Sequence, residues 1–149
     1  MDSNIIAKVE EIEEISSEVY SLWLHIPDDF NKSVLPGQFI KIYCKDKSRI
    51  LGRPISICEV DKENKKLRVV FRVVGKGTEE FATLKQGEEV TLMGPLGNGF
   101  KVDKKDAVLV AGGLGVAPMV ELAKQLNEKK ANSIRIVLGY RDKDHIFLT

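Results

Sequence analysis

The segment that most constrains the fold runs from Ala107 to Asn127, AVLVAGGLGVAPMVELAKQLN, where an apolar run leads through glycines directly into an amphipathic helix. Residues 108–110 carry no polar alternation, which predicts a short parallel strand buried on both faces. The chain must then turn sharply. Three glycines permit that turn and keep side chains away from a ligand: Gly112, Gly113 and Gly115.

The helix after this turn favours anion binding. Pro118 fits its first turn, and the free N–H groups and the dipole at its start attract a pyrophosphate. One apolar stripe is expected to pack on the sheet: Val116, Met119, Val120, Ala123 and Leu126. The polar residues between them are expected to face water: Glu121, Lys124, Gln125 and Glu128. A second strand, Ile134 to Leu138, completes a βαβ unit.

The glycine motif departs from the usual dinucleotide fingerprint. It reads G-x-G-x-x-P from Gly113 to Pro118, whereas the fingerprint ends in Gly or Ala and includes an acidic residue after the next strand. A tight turn that only packs against the sheet is therefore the alternative interpretation. Arg141, near the expected acidic position, either meets the 2′-phosphate of NADP or is a solvated charge, which leaves NAD and NADP both open.

The segment from Ile5 to Met93 reads as short strands separated by turns, which is typical of a β-barrel or sandwich. The expected strands are Ile5–Ile15, Val19–Ile26, Gln38–Tyr43, Pro54–Val60, Leu67–Val74 and Glu89–Met93. Residues Thr78 to Leu84 are expected to form a helix with Thr78 as its N-cap. We therefore predict a β-barrel domain over 1–100 and a partial α/β nucleotide-binding domain, its first βαβ unit, over 101–149.

Two features of the second part predict that the chain is a fragment of a longer protein. A lone βαβ unit leaves sheet edges and an apolar face uncovered. Residues 144–149 also read as the first turn of a further helix that stops.

Composition narrows the function classes. The chain has 149 residues, 43% of them hydrophobic, which fits one domain with a substantial core. A net charge of +1 gives no electrostatic case for nucleic acid or an anionic membrane. No segment has the pattern of a signal peptide or a membrane span, so we expect a soluble, cytoplasmic protein.

Cysteine and histidine usage predicts no metal site within these residues. Cys44 and Cys58 lie outside any C-x-x-C motif and are expected to be small buried apolar residues rather than a disulfide. No arrangement of Ser, His and Asp, of Cys and His, or of clustered carboxylates suggests acid–base or nucleophilic catalysis, so we predict no catalytic side chain.

Three short segments of the first part have the chemistry of a flavin site. In the first, Arg53 to Ser56, the arginine supplies a cation for a phosphate and the serine a hydroxyl for a ring edge. The second is Val70 to Arg72, and the third is Gly75 to Thr78, where a glycine turn opens a helix. Singly, each is also compatible with an ordinary edge strand or a glycine hairpin. Together with the later glycine turn, they predict two nucleotides held face to face.

Five motifs in fixed order resemble the ferredoxin reductase superfamily: PGQF from Pro36, RPIS from Arg53, VGKGT from Val74, GPLGNGF from Gly94 and VAGGLGVAP from Val110. Within it, the chain is most similar to the family of dihydroorotate dehydrogenase B electron-transfer subunits. The resemblance implies an all-β antiparallel FAD-binding barrel followed by the start of an α/β nucleotide-binding domain. The implied FAD contacts are Arg53, Pro54, Ile55, Ser56, Val70, Phe71, Arg72, Gly77 and Thr78, and the implied NAD contacts are Gly112, Gly113, Gly115 and Ala117.

The resemblance also implies a function. The implied function is that of an NAD-linked FAD oxidoreductase subunit in pyrimidine biosynthesis. Electrons from dihydroorotate oxidation would pass from the FMN of a catalytic partner to a 2Fe-2S centre, then to FAD and finally to NAD⁺. The implied assembly is a heterotetramer of two catalytic and two electron-transfer subunits. Two departures stand out: Ile55 replaces a tyrosine that stacks on the flavin in many members, and the cysteine ligands of the cluster are absent from this chain.

Two alternatives remain at this point. One is an NAD(P)H-dependent flavin or ferredoxin reductase subunit of another complex, which would share the fold. The other is a non-catalytic β-barrel binding module whose glycine turns hold no nucleotide.

Overall fold

The computed structural model of the protein describes residues 4–27, 29–30, 33–103 and 105–149. Six strands form a closed antiparallel barrel in the order β1-β2-β5-β4-β3-β6. Their bounds are β1 Ile5–Ser16, β2 Val19–His25, β3 Phe39–Tyr43, β4 Arg53–Asp61, β5 Lys66–Arg72 and β6 Glu89–Leu96. The predicted all-β barrel is confirmed, with strand ends displaced by a few residues.

Apolar side chains at alternate positions of the strands point inward and fill the barrel. On β2, Leu22 and Leu24 point inward and are fully buried, as their period-two spacing predicts. Tyr20 stacks on Phe71 of β5 at a ring-centroid distance of 5.7 Å. Helix α1, Lys76–Ala82, lies between β5 and β6 in the chain and places Phe81 edge-on against Phe71 at 6.0 Å. This aromatic contact packs α1 onto the barrel core.

Helix α1 begins two residues earlier than predicted. Gly75 holds the N-cap position, and Thr78 is the third helical residue, so the prediction of Thr78 as N-cap was wrong. The Thr78 hydroxyl accepts hydrogen bonds from the backbone N–H groups of Val74 at 2.9 Å and Gly75 at 3.2 Å. It therefore reaches back across the first turn and satisfies donors that precede the helix, as the third residue of a capping box does.

The second part is the predicted βαβ unit. Parallel strands β7, Ala107–Gly112, and β8, Ile134–Gly139, are joined by a short 3₁₀ turn over Gly113–Val116 and helix α2, Ala117–Glu128. Helix α2 covers one face of the sheet through a cluster that contains Leu109, Leu122 and Leu126.

The other face of this sheet is exposed. Val108 and Val110 are 63% and 71% accessible, so the prediction of a strand buried on both faces was wrong. The reason is that the described residues place a helix on one face only, and alternate side chains of a strand point to opposite faces.

The polar face of α2 is not the one predicted. Glu121, expected to face water, is only 2% accessible, because that side of the helix packs against β4 of the barrel. Periodicity within the helix identifies its sheet-facing stripe but carries no signal for a second packing surface.

The C-terminal residues also differ from the prediction of a starting helix. A single 3₁₀ turn spans Lys143–His145, and the chain is extended at Ile146. Phe147 is buried in a cluster between the barrel and the βαβ unit: Val19, Cys58, Val70, Ala117 and Phe147. Its ring meets Tyr140 edge-on at a centroid distance of 5.5 Å. The C-terminal segment therefore packs the second part onto the barrel.

Replacing Phe147 with alanine is expected to lower the free energy of unfolding by about 3 kcal/mol, since a buried aromatic side chain is lost and a cavity remains. The neighbouring Ile146 is exposed, so Ile146→Ala is the matched control and is expected to change stability by less than about 0.5 kcal/mol. Urea denaturation followed by circular dichroism measures both. Equal effects of the two substitutions would contradict the assigned role of Phe147.

Candidate functional site

A cavity of about 330 Å³ opens on the barrel surface where β4 and β5 approach the 3₁₀ turn of the second part. The residues that line it are Arg53, Pro54, Ile55, Ser56, Val70, Phe71, Arg72, Val74, Thr78 and Leu114. All the predicted flavin contacts except Gly77 are in this list. Three segments that are separate in sequence therefore meet in one place because β4 and β5 are hydrogen-bonded neighbours.

Gly77, the remaining predicted contact, lies directly beneath the Arg53 side chain. A Cβ atom at Gly77 would come within 2.5 Å of Arg53 Nε and 3.0 Å of its Cζ. Only glycine leaves room for the guanidinium to lie across the start of α1. The same guanidinium donates a hydrogen bond to the carbonyl of Leu51, so two contacts hold it at the mouth of the cavity.

The cavity combines a positive charge with an apolar wall. Arg53 and Arg72 are its charged residues, and neither forms an ion pair with a carboxylate in the part of the chain that the structure describes. Other arginines do: Arg49 Nη1 lies 2.7 Å from Glu80 Oε2. Cations without a carboxylate partner beside an apolar surface favour a ligand that carries both anionic groups and a flat apolar ring system.

The wall of the cavity is supplied by residues that also build the barrel. Ile55 is 7% accessible and Phe71 3%, and both belong to the barrel core. Ile55 and Phe71 line the cavity with an aliphatic and an aromatic side chain, and Ser56 adds a hydroxyl. The site therefore has a rigid floor, since moving Ile55 or Phe71 would disrupt the core packing.

Both cysteines are free thiols, as predicted, and Cys58 is buried as expected, whereas Cys44 is only partly buried. Burial raises the pKa of Cys58 to about 12, and burial together with the nearby Glu80 carboxylate raises the pKa of Cys44. Cys44 Sγ lies 4.0 Å from the carbonyl oxygen of Gly77, behind the site. At neutral pH both groups stay protonated, so neither supplies a thiolate nucleophile.

The second glycine turn faces open space. A Cβ atom at Gly113 or Gly115 would meet no atom within 4 Å, and at Gly112 the nearest atom would be Gly139 O at 3.6 Å. Gly113 has a φ of +54°, which favours glycine. Contacts with the protein thus do not require small residues at 113 and 115, and this argues against a turn that serves only for packing.

Ala117 does not border this open surface, contrary to the prediction. It is 1% accessible and belongs to the cluster between the barrel and α2. The helix begins at this residue and lies directly on the outer face of β4 and β5, so the small side chain allows close packing there.

Sequence reasoning missed two cavity residues, Val74 and Leu114. Val74 is highly exposed and follows β5 at the rim. Leu114 comes from the 3₁₀ turn of the second part and reaches the cavity in the barrel. Its signal in the sequence is a large apolar residue between two glycines in an exposed turn, a position where it needs a surface to cover.

Over the described ranges, no helix is both long and apolar enough to span a bilayer. Among the same residues, His, Cys, Asp and Glu side chains form no group of three placed to bind a metal ion.

The sequence profile of the oxidoreductase FAD-binding domain matches residues 6–100. This chain belongs to that family. The chain is 41% identical over 145 residues to the dihydroorotate dehydrogenase B (NAD(+)) electron transfer subunit of Fusobacterium nucleatum, with 93% of this chain and 55% of the relative covered. The same subunit of Streptococcus pneumoniae R6 is 39% identical, with 95% and 56% covered. The chain thus spans about half the length of the curated relatives it matches.

Solved structures agree with the fold. An NADH-dependent reduced ferredoxin-NADP oxidoreductase superposes with a TM-score of 0.83 at 31% identity and covers all of this chain and 53% of its own. The ferredoxin-NADP⁺ reductase of Plasmodium falciparum superposes with a TM-score of 0.81 at 20% identity, over 97% of this chain and 62% of that one. The resemblance to ferredoxin reductases and to dihydroorotate dehydrogenase B electron-transfer subunits is confirmed.

Gly77→Ala is expected to weaken FAD binding about tenfold, because the new methyl group displaces the Arg53 guanidinium and a charge-assisted hydrogen bond is lost. Flavin fluorescence titration of the purified chain measures the dissociation constant.

Gly75→Ala is the matched control in the same loop. A Cβ atom there meets nothing within 4 Å, and the backbone is extended with φ 178°, so its affinity for FAD should equal that of the unmodified chain. An identical loss in both variants would show that Arg53 placement is not what Gly77 provides.

Proposed function

We propose that this chain is the FAD-binding part of an electron-transfer subunit of the dihydroorotate dehydrogenase B type. The observation that carries the proposal is the cavity on β4 and β5, which gathers three sequence segments with two arginines free of carboxylate partners in the described structure. The names of the relatives and the family match support the same assignment.

Each segment has a distinct task in the proposed FAD site. Arg53, held across the start of α1, binds phosphate oxygens through its paired N–H groups. Thr78 and Gly77 shape the backbone at that helix start, where the pyrophosphate would lie. Arg72 and the Ser56 hydroxyl bond polar edges of the flavin ring.

The apolar wall receives the flat face of the flavin. Pro54, Ile55, Val70 and Phe71 form it, and Ile55 provides an aliphatic contact where many relatives of this superfamily stack a tyrosine. When bound, FAD supplies hydride exchange with nicotinamide and release of single electrons to a one-electron partner. The protein's own contribution is to bind, orient and shield the ring, since the described residues offer no acid–base pair.

The second glycine turn is the proposed NAD site. The open surface at Gly112, Gly113 and Gly115 would receive the pyrophosphate, and Leu114 places this turn beside the cavity. Arg141 lies in solvent with its Nε 4.0 Å from Asp142 Oδ2. The Asp142 carboxylate would repel the 2′-phosphate of NADP, and this supports NAD as the acceptor.

The remaining parts of the function concern the whole protein. The proposal includes a catalytic dihydroorotate dehydrogenase partner that holds FMN, assembly as a heterotetramer, a 2Fe-2S centre held outside these residues, and a place in pyrimidine biosynthesis in the cytoplasm. These follow from the resemblance and from the names of the relatives.

A second candidate is the reductase subunit of another electron-transfer complex. It is favoured by the superposition on the ferredoxin-NADP oxidoreductase at 31% identity. Both candidates use the same FAD cavity and differ only in the electron partner. Reduction of FAD in the full-length subunit by dihydroorotate in the presence of a catalytic subunit would favour the first candidate, and reduction by reduced ferredoxin alone the second.

The purified chain is expected to bind FAD with one-to-one stoichiometry, and Arg53→Ala should raise the dissociation constant roughly tenfold to a hundredfold through loss of a charge-assisted contact to phosphate. Absorbance near the flavin visible band after gel filtration, together with isothermal titration calorimetry, measures retention and affinity.

Arg135→Ala is the control, because Arg135 is exposed on β8 and lies outside the cavity. Both variants should unfold at the same temperature as the unmodified chain without FAD. A chain that retains no flavin after incubation with FAD would support the non-catalytic binding module instead.

A further inference from the structure

One edge of β4 loses its strand partner before the strand ends. The N–H of Ile57 donates to the carbonyl of Gln38 at 3.0 Å, and the pairing with β3 does not continue further along β4. On the other edge, pairing with β5 continues to Asp61. The backbone groups of Val60 that point away from β5 therefore need partners other than a strand, because unpaired buried backbone groups are costly.

Helix α2 supplies those partners from two side chains. Glu121 Oε2 accepts a hydrogen bond from Val60 N–H at 2.9 Å, and Lys124 Nζ donates to the carbonyl oxygen of Val60 at 2.6 Å. The two side chains, one helical turn apart, thus occupy both hydrogen-bonding positions of a single strand residue. They take the place of a neighbouring strand.

The Glu121 carboxylate is almost completely buried. Its second oxygen, Oε1, accepts a hydrogen bond from Gln125 Nε2 at 2.8 Å, and Lys124 Nζ lies 4.0 Å from Oε2. The carboxylate therefore has three polar or cationic partners: the Val60 N–H, the Gln125 amide and the Lys124 ammonium. Burying a carboxylate gains little stability over an apolar residue of similar volume, so its presence calls for a geometric role.

This contact joins a strand that lines the cavity to the helix that follows the second glycine turn. Strand β4 bears Arg53 to Ser56 at its start and Val60 near its end. Helix α2 begins directly after the 3₁₀ turn, and Glu121 is its fifth residue. Fixing α2 to the end of β4 therefore fixes the position of Leu114 and its flanking glycines over the cavity at the start of β4.

We propose that Glu121 and Lys124 form a latch on the Val60 backbone that positions the glycine turn of the nucleotide-binding unit against the flavin cavity. Glu121 is a positioning residue in this account. The proposal rests on the proposed function for its consequence, the alignment of two nucleotides, but the latch itself is a property of the chain without ligand.

The test compares Glu121→Ala with Glu121→Gln by amide hydrogen exchange in the absence of FAD. Two amides report the latch: that of Val60, and that of Ala117, which donates to the Leu114 carbonyl in the turn. In Glu121→Ala, both should exchange about tenfold faster, because a hydrogen bond to a charged group is lost. In Glu121→Gln, both should stay protected, since the amide oxygen accepts the same bond.

Glu128→Ala is the matched control, an exposed carboxylate on the same helix, and should leave both amides unchanged. Faster exchange at Val60 with an unchanged Ala117 amide would show that Glu121 only satisfies the backbone of the strand edge. That result would overturn the positioning role. Unchanged exchange at Val60 would overturn the latch altogether.

Lys124→Met is the second variant, for use if Glu121→Ala does not fold. It keeps an apolar stem of similar length and removes the bond to the Val60 carbonyl, together with the 4.0 Å ion pairs to Glu59 and Glu121. The latch predicts a smaller acceleration at both amides than in Glu121→Ala, and an unchanged Ala117 amide would again contradict it.

FAD titration of the same variants separates the two proposals. If both the latch and the proposed function are correct, Glu121→Ala should bind FAD several-fold more weakly than the unmodified chain. Glu121→Gln should bind FAD with the affinity of the unmodified chain. If the unmodified chain binds no FAD, the proposed function fails while the exchange data still decide the latch. If FAD binds equally well to all variants, the latch does not act on the cavity and the positioning role is overturned.

Discussion

Strand β4 is shared between three environments, and the rest of the structure depends on how it divides its residues among them. Ile55, Ile57 and Val60 enter the barrel core. A register shift between Ile57 and Glu59 adds a residue to the strand, so that Cys58 points outward into the cluster beneath α2 while Val60 returns to the core. A bulge of this kind reorients side chains without breaking the sheet. One strand thus packs the barrel, lines the cavity and receives the second unit.

The binding surface follows from this division. Outward residues at the start of β4 and on β5 form the cavity, and its floor is the barrel core itself. Charge enters through Arg53 and Arg72, and the first is kept in place because Gly77 leaves room for it. Rigid apolar support with cations at the rim is what a flavin nucleotide requires, because the ring must lie flat while the phosphates find fixed partners.

Local sequence patterns correctly predicted the features that depend only on interactions between residues close in the chain. Alternation on β2 gave the barrel face with Leu22 and Leu24, and the glycine-rich turn between an apolar run and a helix gave the βαβ unit. The motif segments around Arg53, Arg72 and Thr78 predicted residues that share one cavity. Each of these depends on periodicity, turn chemistry or motif order within a short stretch of chain.

Several of the errors fall where two distant surfaces meet. Glu121, Ala117 and Phe147 are buried because α2 and the C-terminal segment dock on the outer barrel face, and no pattern within the helix encodes that second surface. Thr78 was displaced from the N-cap because its hydroxyl reaches back to Val74 and Gly75, a choice that depends on the loop conformation. Leu114 was missed since its partner surface belongs to the barrel.

The most direct test of the central claim, that this cavity is where FAD binds, is to titrate the isotope-labelled chain with FAD and follow backbone amide chemical shifts. The account predicts that the largest shifts fall on residues of the cavity and its rim: Ser56, Val70, Arg72, Val74, Gly77 and Leu114. Shifts concentrated instead in the apolar groove between α2 and β8, around Met119 and Ile136, with the cavity amides unmoved, would contradict it.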